Sequence, residues 1–507
     1  MRKMTNEIWL GSGTSVTFVP EQDLFLGYRP ASADVTTGTV EANGKTTALN
    51  GLVSYAMGRQ DDAGVGALIS VSCLMTPGVY AGCVATLYDA DATPTTSNVR
   101  IVTNDTTNIY VIGSKSGGTV PTLDSSGDYI IIQSYGAPVW AEKNGANSQL
   151  LSDNWLGLVT TITPPNLEVE MKQMNLALGG SRNFTHQYKG IETTSGGSME
   201  LNVNTGAWLF YALGGITSIA QSNSGFSSAP TFSDSNTSTL QTTSPAFGAV
   251  TTNIEIVPSL NMKGVKNSEL PSFALEHTMA KSSPTAAFTV DSGGDEVFTR
   301  FYTGNRVNTL TMTAAENMEL TMSLDLNSKT TLKAPTGYRS RRGVADETSL
   351  SNFRDDKTEF LTPFMFSDGT ISMFGQDYIR LTNMTLTINN NLQDKRFIGN
   401  YNKGTKEALP AQRTYELTFS GFVTDDAIYN ELISDIEVAQ TASNASRIKL
   451  HFVKDDGEYI KLEFRKYMLT TSTWPIPDDK GPVQVEMTIM PLRLESATVN
   501  THWHLMG

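Results

Sequence analysis

Two stretches 216 residues apart carry the same arrangement of residues: MELNVNTGAWLFYALG from Met199 and YELTFSGFVTDDAIYNELI from Tyr415. In each, apolar residues alternate with polar ones and the chain then runs into a short apolar helical segment. Strict alternation is the pattern of a half-buried strand, and a change to helical spacing marks the end of that strand. A chain that repeats such a unit has to bury the apolar face of each copy, and packing the copies side by side does so.

The order of elements extends the match. In the first copy Leu167, Val169 and Met171 alternate with charged residues, and a polar reversal, LGGSRNFTHQYKGIETTSGG, leads to Met199, Leu201 and Val203. Thr205 can cap a helix over GAWLFYALG, which Gly214 closes. Residues 215–268 read as an inserted loop. Four strands follow: SFALEHTMA, EVFTRFYTG, RVNTLTMTA and MELTMSLDLN. In the second copy Met384, Leu386 and Ile388 alternate, a polar reversal over 390–410 follows, and Tyr415, Leu417 and Phe419 make the next strand. A helix with Ile428, Leu432, Ile433 and Ile436 on one face comes after it. RIKLHFV, YIKLEFRKY, MLTTST and VQVEMTIMPL complete the set. His277 and His451 fall in corresponding strands, which suits a structural position.

At 507 residues the chain exceeds one ordinary core. With 42 glycines, abundant Ser, Thr and Asn and only 17% charged residues, it reads as short strands joined by turns. VGALISVSCL, YAGCVATLY, VRIVT, NIYVIG and DYIIIQSYG between residues 65 and 140 predict an additional all-β domain. Val16 and Phe18 alternate near the N-terminus. The opening MRKMTNEIWLGSG lacks the apolar core of a signal peptide, and no apolar run is long enough to span a bilayer. With Cys73 and Cys83 alone, no disulfide framework or zinc spacing arises, and a cytoplasmic folding compartment fits.

The charge excludes one class of function and the motifs exclude others. A net charge of −14 with scattered basic residues is not the footprint of a protein that grips a phosphate backbone, although an acidic chain can surround nucleic acid without holding it. The clusters Asp89/Asp91, Asp291/Asp295/Glu296, Asp355/Asp356, Asp455/Asp456/Glu458 and Asp478/Asp479 read as turns without calcium-loop spacing. GSKSGGT at 113–119 lacks the phosphate-loop Lys-Ser/Thr spacing. His502 and His504 bracket Trp503 with no third ligand nearby. The reading is therefore no enzyme, with no catalytic, cofactor-binding or metal residues and no cofactor.

The segments TLTINNNLQDKRFIG, LPAQRTYELTFSGFVTDDAIYNEL and YIKLEFRKY, closed by VQVEMTIMPL, resemble the tail tube proteins of long-tailed bacteriophages. The first copy and the opening EIWLGSG resemble them in a more divergent form. The resemblance implies an all-β fold with short flanking helices: tandem tube-like β-barrels or sandwiches plus the additional all-β domain. It divides the chain into an N-terminal strand region of the tube part (1–28), an accessory all-β domain on the tube exterior (29–150), a first tube unit with its inserted loop (151–330), a linker or inter-ring loop (331–377) and a second tube unit (378–507).

The implied function is a structural virion protein that polymerises as stacked rings into the hollow tail tube, the conduit for DNA ejection into the host. Two units per chain imply three chains per pseudo-hexameric ring, a single-unit hexamer being the alternative. Implied partners are the protein itself and other tail proteins such as terminator, tape measure and sheath. DNA would pass without specific binding, and no membrane is involved. The implied location is the virion tail, after assembly in the host cytoplasm. A conduit works best if its wall does not attract phosphate. The lumen-facing candidates are accordingly the polar sides of the two final strands: Glu319, Thr321, Ser323 and Asp325, with Gln484, Glu486 and Thr488. The alternative is a non-stacking trimeric virion surface or receptor-binding protein.

Overall fold

The computed structural model describes residues 14–21, seven strands between 37 and 142, and, with gaps, residues 157–222, 251–258, 270–334, 362–422 and 447–502. The architecture is mostly β with minor helices. β1 (Thr14–Pro20) opens the chain. A separate seven-stranded sheet follows: β2 (Thr37–Thr39), β3 (Gly66–Ser70), β4 (Val84–Asp89), β5 (Thr95–Asn104), β6 (Asn108–Ile112), β7 (Tyr129–Ser134) and β8 (Ala137–Glu142), in the order β2-β3-β6-β5-β4-β7-β8.

The rest builds one 16-stranded antiparallel sheet and two small hairpins. In chain order come β9 (Leu158–Thr163), the hairpin β10 (Asn166–Met174) and β11 (His186–Ser195), β12 (Ser198–Asn202) and helix α1 (Trp208–Leu213). Then come β13 (Gly214–Ser222), β14 (Thr251–Pro258), β15 (Phe273–Ala280), β16 (Val297–Ala315), β17 (Thr321–Asn327) and β18 (Thr330–Lys333). A short 3-10 turn (Phe366–Asp368) leads into β19 (Gly369–Met373) and β20 (Gln376–Asp377). The chain continues with β21 (Leu381–Asn389), the hairpin β22 (Gln393–Lys395) and β23 (Glu407–Leu409), β24 (Thr414–Phe422), β25 (Arg447–Val453), β26 (Tyr459–Thr473) and β27 (Gln484–His502).

Two runs of the large sheet have the same strand order. One is β9-β12-β17-β16-β15 and the other β21-β24-β27-β26-β25. A hairpin sits between the first two chain-order strands of each run, β10–β11 in one and β22–β23 in the other. The runs join where β21 pairs with the distal half of β16, from Thr309↔Asn389 to Ala315↔Asn383. Among the described residues the main path of the sheet has two ends, β9 and β20.

The structure corrects several sequence expectations. EVFTRFYTG and RVNTLTMTA are one 19-residue strand, β16, and YIKLEFRKY with MLTTST is one 15-residue strand, β26. Each bends at one residue with positive φ, Gly304 (67°) and Lys466 (57°), and the partner on one side ends there. A turn-like residue that only bends a paired strand looks in sequence like a break. The supposed inserted loop 215–268 contains most of β13 and all of β14, which pair with each other, and β14 adds to the far end of β27. The 179–197 reversal contains the ten-residue β11. The supposed linker 331–377 contributes most of β18 at its start and β19–β20 at its end. The helix expected around Ile428–Ile436, Thr205, both cysteines and His504 lie outside the described residues.

One apolar core serves both runs. Met199, Leu201, Leu310, Met312, Met322, Leu324, Leu386, Ile388, Leu417, Phe419, Met487 and Ile489 are buried on a single face of the sheet. Every residue of α1, WLFYAL, is buried, as expected for a helix apolar on all sides. Trp208 and Tyr211 meet the Phe273 ring edge-on at 5.3 and 5.2 Å. Gly214 (φ 96°) ends the helix in the left-handed region that glycine tolerates. Tyr415 on β24 meets Phe464 on the proximal half of β26 at 5.9 Å, so the sheet coils back over its own apolar face.

The two histidines do occupy matching places. His277 on β15 lies opposite Arg300, and His451 on β25 lies opposite Lys461. Burial, then the facing cation, holds each imidazole below its ordinary pKa. The folded state therefore binds fewer protons there than the unfolded chain. This contribution is complete above the unfolded value of about 6.5 and is lost as pH falls below it. Urea midpoints should drop between pH 7.5 and 5.5, and the double variant H277Q/H451Q should show a flatter profile over that interval. An unchanged slope would dismiss the histidines as the source.

Candidate functional site: a polar sheet face and its joints

The face opposite the core is built by the alternate residues of the same strands. Register places Ser198, Glu200 and Asn202 of β12 beside Asp325, Ser323 and Thr321 of β17. Those adjoin Thr309, Thr311 and Thr313 of β16. Next come Asn389, Thr387 and Thr385 of β21, then Thr414, Glu416 and Thr418 of β24, with Thr488 and Glu486 of β27 opposite Thr418 and Ser420. Thr161 and Thr163 of β9 extend the face at its other end.

Over β9, β12, β17, β21, β24 and the paired parts of β16 (309–315) and β27 (484–490), there is no Lys or Arg. The carboxylates are Glu200, Asp325, Glu416 and Glu486. Their placement repeats. Leu201 faces Met322 and Leu417 faces Ile489, so Glu200 corresponds to Glu416 and Glu319 to Glu486. Threonine hydroxyls tie into the neighbouring ladder, as in Thr160 Oγ1 donating to the Glu200 carbonyl (3.2 Å) and Thr470 Oγ1 to that of Thr488 (2.9 Å). Three exposed apolar side chains, Met468, Met490 and Leu492, interrupt the polar face at one corner.

Six of the seven candidates chosen from sequence lie on β17 and β27, and those with register partners are on this face: Thr321, Ser323, Asp325, Gln484, Glu486 and Thr488. Glu319 sits just before β17, in an isolated bridge to Met365. Sequence reading missed the polar sides of β9, β12, β16, β21 and β24. Their Thr-x-Thr and Glu-x-Thr alternations were visible, but nothing in the sequence says that seven separate alternations share one face.

The joint between the two runs is reinforced by side chains. Asn390, buried at the end of β21, donates from Nδ2 to the carbonyls of Ala212 and Val307, each at 3.0 Å. Its Oδ1 accepts from Arg413 Nε at 2.6 Å, and Arg413 also donates to the Leu213 carbonyl at 3.0 Å. The last carbonyls of α1, unpaired within so short a helix, are thus satisfied from the second run. Arg306 donates to the Ala408 carbonyl, and Asn327 to Asp394. Among the described residues no group of three or more His, Cys, Asp or Glu could hold a metal ion, and no helix is long and apolar enough to cross a membrane.

The described strands build one continuous polar wall and the joints that hold it. A family model, the phage tail tube protein, matches residues 160–490 and spans both runs, and the chain belongs to that family. No curated protein matches the chain. It is a structural, non-catalytic protein of the phage tail, as the expectation of no enzyme had it.

Proposed function

We propose that this chain polymerises as stacked rings into the hollow tail tube, with two tube units per chain. Residues 151–330 and 378–507 each supply one unit, so three chains complete a pseudo-hexameric ring. The observation that carries this reading is the polar face: β9, β12, β17 and distal β16 of one run continue into β21, β24 and the start of β27 of the other, and over these stretches it bears carboxylates and hydroxyls without Lys or Arg. Such a wall repels phosphate and lets DNA pass without specific binding. The residues Glu319, Thr321, Ser323, Asp325, Gln484, Glu486 and Thr488 would then face the lumen. The 29–150 segment would decorate the exterior, and the 331–377 segment would include the inter-ring loop. Terminator, tape measure and sheath proteins are the partners such a tube meets in the virion.

Negative-stain microscopy of the purified protein tests the assembly. Long hollow tubes with threefold or sixfold end views are expected. Discrete trimers that never stack would instead favour a virion surface or receptor-binding role. The lumen assignment has its own test. The variant D325K/E486K should assemble normally and slow DNA ejection from reconstituted virions, because each change places a cation beside passing phosphates. Ejection at the wild-type rate would reassign this face to the exterior.

A further inference from the structure

Three buried polar side chains from distant parts of the chain converge beside the core. Lys454 and Glu458 bracket the connection between β25 and β26, where the Lys454 amide donates to the Glu458 carbonyl at 2.9 Å. Asn204 lies between β12 and α1, 250 residues from Lys454. Lys454 Nζ donates to Glu458 Oε2 at 2.7 Å and to the Asn204 backbone carbonyl at 3.1 Å, and it lies 4.5 Å from the centre of the Phe364 ring. All three residues are buried, Asn204 completely. Yet among the described residues neither Oδ1 nor Nδ2 of Asn204 has a hydrogen-bond partner. A buried carboxamide without partners costs stability, so its presence beside a lysine and a carboxylate calls for another use.

The geometry points to a covalent cross-link, an amide bond between Lys454 Nζ and Asn204 Cγ, which the chain forms by itself with Glu458 as the proton carrier. The site stands on these residues and does not depend on whether the chain builds tubes. Three requirements of the reaction are met. The amine is held beside its target, because Nζ is already hydrogen-bonded to the backbone of the residue that carries Cγ. The preceding residue, Val203, is fixed by two backbone hydrogen bonds, its amide donating to Leu320 at 2.7 Å and its carbonyl accepting from Phe364 at 2.8 Å. An acid–base group touches the amine, since Glu458 is within hydrogen-bond reach of it. Burial and the Phe364 ring keep out water, which would otherwise solvate the two charges and compete as a nucleophile.

One proton passes from Nζ to Glu458 Oε2 along their hydrogen bond, leaving a neutral amine beside a neutral acid. Rotation about the side-chain bonds of Asn204 brings Cγ to Nζ. The Nζ lone pair forms the Nζ–Cγ bond while the Cγ–Oδ1 π pair moves onto Oδ1. When that pair returns, the Cγ–Nδ2 bond breaks and its electrons leave with the nitrogen. Of the three ammonium protons, one stays on the new amide. Glu458 relays the other two to the departing nitrogen, which leaves as ammonium, and Glu458 is a carboxylate again. No oxidant, reductant or water is consumed. Because the carboxamide must first turn within a packed core, the bond forms more slowly than the chain folds, and the fresh subunit carries the ion pair.

Intact-mass measurement tests the bond. The full-length chain is purified cold, then incubated at growth temperature and sampled over days. Wild type should lose the mass of one ammonia, and its digest should yield a branched peptide joining the segments that contain Asn204 and Lys454. K454R keeps a cation beside Glu458 but has no primary amine, and N204A has no carboxamide; both should keep their full mass. E458Q should lose ammonia about 100-fold more slowly or less, as expected when an acid–base group is removed. Wild type that stays at full mass would overturn the cross-link. So would an ammonia loss that persists in N204A, which would place it elsewhere, such as at Asn43 before Gly44. E458Q reacting at the wild-type rate would overturn the role of Glu458.

Discussion

Lys454→Ala is expected to destabilise the subunit by about 3–5 kcal/mol, the cost of breaking a buried ion pair. Lys454 follows β25, with its Nζ 2.7 Å from Glu458 Oε2, and the two side chains are 6% and 1% exposed. The same ammonium donates to the Asn204 carbonyl at 3.1 Å and lies 4.5 Å from the Phe364 ring centre. Asn204 and Phe364 belong to the path around β12 and to the segment before β19, so one cation gathers three distant parts of the chain. Alanine removes the ammonium from beside a buried carboxylate and takes the donor from the Asn204 carbonyl. Urea unfolding of the unassembled subunit reads the loss. The double variant K454M/E458L should recover most of it, because an apolar pair of similar volume needs no desolvation of charge. If K454A unfolds at the wild-type midpoint, the pair contributes nothing and its burial has no energetic role.

Asn390→Ala should cost on the order of 3 kcal/mol, from several buried groups losing their partner at once. The carboxamide supplies both protons to the Ala212 and Val307 carbonyls and its oxygen to Arg413. Asn390 is 1% exposed, so its two carbonyl partners are buried with it. The effect should appear as a lower denaturation midpoint together with faster amide exchange along β21 and distal β16, the two strands whose ends it ties. Asn390→Asp should be no milder, since a carboxylate has no proton for either carbonyl. Exchange confined to surface loops would show that the ladder alone holds the two runs together.

Much of the repeat was legible because strand alternation is a local signal. Met199, Leu201 and Val203, or Tyr415, Leu417 and Phe419, announce a buried face without any knowledge of the partner strand. The helix WLFYAL and its closing Gly214 are equally local. The extent of β16 and β26 was not legible, since Gly304 and Lys466 bend a paired strand where sequence suggests an end. The β13–β14 hairpin was hidden within a Ser/Thr/Asn-rich stretch, a composition that says loop until β27 supplies an edge to pair with.

The candidate surface divides the same way. Thr321, Ser323 and Asp325, and Gln484, Glu486 and Thr488, were accessible from alternation alone, because polar residues at every second position of a half-buried strand must turn from the core. That these two strands share one face with β9, β12, β16, β21 and β24 depends on which strand pairs with which. Sequence by itself determined the β character, the repeated order of elements and the acidic balance of the chain. Only the tertiary structure decided that the second run grows from the distal half of β16. Pairing between strands far apart in the chain is set by hydrogen bonds any two backbones can make, so the choice of partner is left to packing.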